Sequence, residues 1–196
     1  MTNLTTLLTL SDSRLPTGGH VHSGGVEQAV AEGLVRDLST LRAFLRRRVR
    51  THGLVAASVA AAVCGGGLGI GEADRETDAR TPAPLARRVW PDADWDPLGA
   101  TPHLAVAAGA VGAASGMPPE HTALSVIYTT MTGSATAAQR LLALDPGDVA
   151  AVTFDLAPLC DQLATEAAKG LCELSDPLLD VLAERHSQRE RPLFAS

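Results

Sequence analysis

Aromatic side chains make up only 3% of this 196-residue chain, and alanine and leucine dominate its apolar positions. Sheet interiors are built from aromatic and β-branched side chains, whereas Ala and Leu lead the helix-propensity order. This composition therefore favours an all-helical fold. A hydrophobic share of 45% against 19% charged excludes a disordered chain. At this length a single domain is the default, and it buries roughly 70% of its unfolded surface without staples. The expected architecture is an all-α single-domain bundle of about eight to ten helices over residues 1–188, followed by a polar tail over 189–196.

Charge and cysteine usage narrow the functional classes. Lys169 is the only lysine, and the formal net charge is −6. That balance argues against a nucleic-acid binder and suits a soluble cytoplasmic protein. Cys64, Cys160 and Cys172 are odd in number and widely spaced, which suits reduced thiols better than a disulfide framework or a zinc site. Residues Met1 to Arg14 lack a basic n-region, and Asp12 stands where a hydrophobic run would continue, so no signal peptide is expected. The longest apolar stretch, Leu54 to Cys64, is about half of the roughly 20 residues a bilayer span needs. No membrane association is expected.

Caps and breakers divide the chain. An apolar segment covers Asn3 to Leu10. Ser23 caps a helix over Gly24–Glu32, and Ser39 caps the longest expected helix, Thr40 to Cys64. Pro-rich connections flank Leu85–Trp90. Thr101-Pro102 opens a small-residue helix to Ser115, suited to close helix contact inside the domain or across a dimer. Pro119 opens another helix, to about Met131, which Gly133-Ser134 interrupts before Ala135–Leu144. Asp148 caps the next, which Pro158 is expected to bend or restart, and Gly170 ends it. Asp176-Pro177 starts the last, to about Gln188.

Catalytic motifs are absent. There is no G-x-x-x-x-G-K-[ST] phosphate loop, no G-x-S-x-G elbow and no H-E-x-x-H. The run Gly65 to Gly71 fails the G-x-G-x-x-G spacing and follows a helix. His20 and His22 form an H-x-H pair with no nearby carboxylate or thiol to complete a tetrahedron, so turn-lining or partner-contacting histidines are the simpler reading. The alternative is a small histidine-based metal-binding protein, with His52 or His121 contributing. Arg42, Arg46, Arg47, Arg48 and Arg50 form a basic run on the long helix, and Arg42, Arg46 and Arg50 share one face of it, either a solvated face or a surface for an acidic partner. No catalytic residue, cofactor or metal is assigned, and the chain is expected not to be an enzyme.

The segment from Ser11 to Glu27 resembles the N-terminal signature of the UreF family of urease accessory proteins, through Asp12, Ser13, Pro16, Gly18, His22, Ser23, Gly25 and Glu27. Two further regions are similar to the same family: Thr136, Gln139, Arg140, Leu141 and Leu142, and the end of the chain with Asp176, Pro177, Asp180, His186, Arg191, Leu193, Phe194 and Ser196. The chain departs from the family pattern at His20, Ala135 and Pro192, and it is shorter between Arg80 and Leu85. The resemblance implies an all-helical, dimeric, non-enzymatic scaffold. It would join a UreD/UreH-type accessory protein to recruit a UreG-type GTPase for nickel delivery to apo-urease. It also implies partner-binding roles for Pro16, Gly18, Gly19, His22, Ser23, Gly25, Glu27, Gln139, Arg140, Arg191, Leu193 and Phe194. For Glu27 a buried, paired carboxylate is an equally open reading, because unpairing it inside a fold is costly. Residues 189–196 hold only one apolar pair, Leu193-Phe194, which suggests that the tail orders on a partner surface.

Overall fold

A computed structural model describes residues 4–12, 23–70, 84–99, 102–188 and 193–194. Pro16, Gly18, Gly19, His20, His22 and Arg191 lie outside the described residues. After α1 (Leu4–Leu10) and the short α2 (Val26–Ala31), Asp37 opens the first long helix. Its carboxylate accepts the Thr40 N–H at 2.8 Å, and Thr40 Oγ1 accepts the Asp37 N–H at 3.1 Å. This reciprocal box starts α3 (Leu38–Arg48) at Asp37 rather than at the expected Ser39. The helix reaches Cys64 as expected, but through one π-helical turn, Val49–Gly53, before α4 (Leu54–Cys64).

α5 (Pro84–Val89) and a 3-10 turn (Asp96–Leu98) precede α6 (Leu104–Ala114), where the His103 ring nitrogen accepts the Ala105 N–H at 3.2 Å. Two expected breaks do not occur. α7 (Pro119–Leu142) runs unbroken through Gly133-Ser134. Met131, Ser134, Ala135 and Ala138 are all buried there, and that packing outweighs the cost of about 1 kcal/mol for a mid-helix glycine. α8 (Pro146–Ala167) runs through Pro158, which sits on its exposed side, where water can take the carbonyl that proline cannot serve. Its cap is Asp145, which accepts the Gly147 and Asp148 N–H groups, rather than Asp148. α9 (Pro177–Ser187) starts at its expected cap, Asp176.

The architecture is all-α, with no strand among the described residues. α7 packs against α8 and α4, which also meet each other, with α2 and α3 alongside, and α6 lies against α4 and α7. α3 and α4 run parallel to α8. Arg42 pairs with Asp155 at one end, and Ser58 Oγ accepts the Cys172 N–H at the other. The main core gathers Leu41, Leu45, Val49, Ile127, Met131, Leu156 and Leu182. A smaller one joins Val63, Trp95, Leu98 and Val106, so the small-residue helix α6 packs inside the domain. Among the described residues, no helix is long and apolar enough to cross a membrane.

The arginine cluster splits by role. Arg47 donates to both oxygens of the buried Asp176, each at 2.6 Å, while Asp176 Oδ1 also accepts the Leu178 and Leu179 N–H groups. The Arg47 guanidinium holds the Asp176 carboxyl below its ordinary value of 3.8. A depressed folded-state pKa means that stability is present above 3.8 and lost as pH falls through the folded value. Asp176→Ala is expected to cost about 2–3 kcal/mol, lowering Tm by roughly 4–12 °C. In thermal melts the gap from wild type should hold down to about pH 4 and shrink below it. A gap that widens in acid would contradict this assignment.

Candidate partner-binding site

Gly24 and Gly25 open the site because both adopt positive φ, +62° and +84°. A Cβ on Gly24 would also stand 2.3 Å from the Arg48 guanidinium carbon. Only glycine takes this backbone shape at little cost while leaving room for the arginine. Gly25 caps α2, and Ser23, fully buried, supplies the next contacts. Its hydroxyl accepts the Glu27 N–H at 3.4 Å, and its carbonyl accepts the Ser134 hydroxyl of α7 at 3.2 Å. The end of the signature segment is thereby fixed to the central helix.

These contacts aim Glu27 inward. Its residue exposure is 2%, and its carboxylate accepts the Leu193 N–H through Oε1 at 3.0 Å and the Phe194 N–H through Oε2 at 3.1 Å. His186, on the last turn of α9 and equally buried, brings Nε2 within 3.2 Å of the Phe194 carbonyl oxygen. A carbonyl only accepts, so Nε2 carries the proton in this contact. Nδ1 then faces Glu27 Oε2 at 3.8 Å, beyond hydrogen-bond reach. The Phe194 ring packs, half-buried, against the main core, while Leu193 is 78% exposed. One carboxylate and one imidazole thus hold both backbone faces of a single tail residue.

This changes two expectations. The tail does not wait for a partner surface to order at Leu193-Phe194, since it docks on its own chain. The ordering cost is met by two charge-assisted hydrogen bonds and a preformed apolar seat. Of the two readings of Glu27, the buried and paired one holds. Its carboxylate, like Ser23 and Gly25, is interior and reaches the surface only through the tail it anchors.

Gln139 is half-buried and Arg140 exposed at the C-terminal end of α7, beyond Ser134. Among the described residues, no side-chain hydrogen bond or ion pair ties them to this node. Sequence reasoning missed Ser134, Arg48 and the gripping role of His186. The serine was legible only as a helix breaker, and the arginine only as part of a charged run. Among the described residues, no group of three His, Cys, Asp or Glu side chains comes together in a way that could hold a metal ion.

Comparison with known proteins finds relatives along the whole chain. The UreF family model matches residues 80–157. The urease accessory protein UreF of Mycolicibacterium vanbaalenii is 71% identical across the whole of both chains. Those of Mycobacterium sp. strain JLS and Mycobacterium tuberculosis strain H37Ra are 69% and 64% identical, again over both full lengths. Fold and relatives together define the class, an all-helical urease accessory protein. The chain belongs to the UreF family.

Proposed function

We propose that this protein is a non-enzymatic scaffold in nickel-dependent urease maturation, working in the cytoplasm as a homodimer. With a UreD/UreH-type partner it recruits a UreG-type GTPase to apo-urease, and nickel is the cargo of that assembly. The observation that carries this reading is whole-length identity of 64–71% to proteins named as urease accessory proteins. The sequence supplies no phosphate loop, so nucleotide hydrolysis falls to the partner GTPase.

The tail node suits such a role. Leu193 stands exposed beside the anchored Phe194, at a place set by Glu27 and His186. A partner meeting that turn finds an ordered surface and avoids the entropy of fixing a free tail. Pro16, Gly18, Gly19 and His22 from the signature, Arg191 from the tail, and Gln139 and Arg140 of α7 are proposed as further partner-binding residues. Size-exclusion chromatography of the purified chain with its UreD-type partner and GTPase tests the proposal. The expected result is a complex with the UreD-type protein that retains the GTPase. Three separate peaks at micromolar concentrations would refute it.

A further inference from the structure

Where arginines of this chain lie against the fold, they meet carboxylates. Arg42 pairs with Asp155, Arg47 with Asp176 and Arg185 with Glu32. Arg48 does not. It is only part-exposed, and Gly24 passes so close that a Cβ there would lie 2.3 Å from both Cζ and Nη2. Its Nε is sealed from water without a hydrogen bond, and the guanidinium makes no ion pair among the described residues. Acids are not scarce, since the chain holds 22 Asp and Glu against 16 Lys and Arg. A partly desolvated charge without a counter-charge is costly, so a vacant arginine of this kind points to an anion that joins it.

His52 stands four residues on, across the π-helical turn Val49–Gly53, and so on the same side of the helix. Single π-helical turns of this kind recur at functional sites. Part of the His52 ring reaches water. Even so, the protein packed about it, and then the charges of Arg48 and His103, push its pKa from 6.5 down to about 4. His103 caps α6, so the start of that helix lies beside the same turn. Arg48 is lowered to about 10 by burial alone. No carboxylate of the described residues offsets either shift, and the positive potential here stands unopposed.

We propose that Arg48 and His52, beside the His103 end of α6, form a binding site for a small tetrahedral oxyanion of the phosphate type. With Nε sealed, a planar carboxylate cannot take the bidentate pair through Nε, and the Nη end is what remains accessible. A tetrahedral anion offers oxygens in several directions, so it can meet Nη and an imidazole together. Its charge of about −1.5 to −2 near pH 7 also answers more than one positive group. Gly24 holds the guanidinium in place beforehand, which lowers the ordering cost of binding.

Isothermal titration of the purified full chain with inorganic phosphate, at a constant ionic strength of about 0.15 M, tests the site. The expected Kd is about 1 mM or tighter, and about 10 mM phosphate should raise Tm by roughly 3 °C or more. Arg48→Met and His52→Gln should each weaken phosphate binding by roughly tenfold or more. Arg46→Gln, at an exposed position of the same helix, should bind as wild type does. In phosphate-free buffer Arg48→Met should melt no lower than wild type, because it removes an unpaired charge and keeps an apolar stem against Gly24. A wild-type protein that shows neither heat nor a Tm rise with phosphate would overturn the assignment. So would an equal loss in Arg46→Gln, the mark of diffuse attraction to surface arginines, or acetate binding as tightly as phosphate. An Arg48→Met protein that melts several degrees below wild type without phosphate would also overturn it, since the guanidinium would then already be satisfied within the fold.

Discussion

Gly109→Ala is expected to lower stability by about 3 kcal/mol, although the same change in an exposed helix would gain about 1 kcal/mol. A Cβ at Gly109 would lie 2.6 Å from the Ala60 carbonyl oxygen and 2.7 Å from the Val63 Cβ, both on α4. Neither is the end of a flexible side chain, so α6 must move away from α4 along their whole contact. Sterics therefore win over propensity. Gly112→Ala meets the Thr122 hydroxyl at 2.3 Å and the Cys64 sulfur at 3.1 Å.

Thr122 can be cut back, which makes a control available. Gly112→Ala/Thr122→Ala should recover part of the loss, whereas no side-chain truncation on α4 should rescue Gly109→Ala. Thermal melts decide both, with an expected fall in Tm of roughly 6–12 °C for Gly109→Ala. A Gly109→Ala protein as stable as wild type would show that α6 is not seated as described.

The second large effect lies at the tail. Deleting residues 189–196 takes two N–H donors from a carboxylate that is 2% exposed. The expected cost is about 3 kcal/mol, or roughly 6–12 °C in Tm. Glu27→Ala should cost less, about 1–2 kcal/mol, because the released tail N–H groups pass into water and no carboxylate stays buried. The two changes must therefore be strongly non-additive. In the Glu27→Ala background the deletion should cost less than about 1 kcal/mol. Amide exchange reports the same contact, since Leu193 and Phe194 should be protected in wild type and exchange freely in Glu27→Ala. Additive costs, or a deletion that leaves Tm unchanged, would mean that the tail is not held by Glu27.

Local rules recovered much of the helical layout. Asp176 before Pro177 and the glycines at the helix ends act over a few residues, through hydrogen bonds to nearby backbone, and such signals read true. They placed the caps of α3 and α8 two and three residues late, at Ser39 and Asp148, and they failed at Ser134, where no interruption occurs, and at Pro158, where the helix does not restart. A serine bonded to a carbonyl 111 residues away, or a proline whose orphaned carbonyl faces water, carries no local mark of its surroundings.

The site divides in the same way. Composition and motif spacing were enough to establish an all-α chain without a nucleotide loop and to resemble the UreF family, because helix propensity and glycine backbone freedom belong to the residues themselves. Whether Glu27 faced a partner or the interior, and whether Leu193-Phe194 stood free or docked, was decided only when the fold brought α2, α9 and the tail together. A carboxylate is as much at home in water as beneath two N–H donors, and only the packed surroundings remove the first choice.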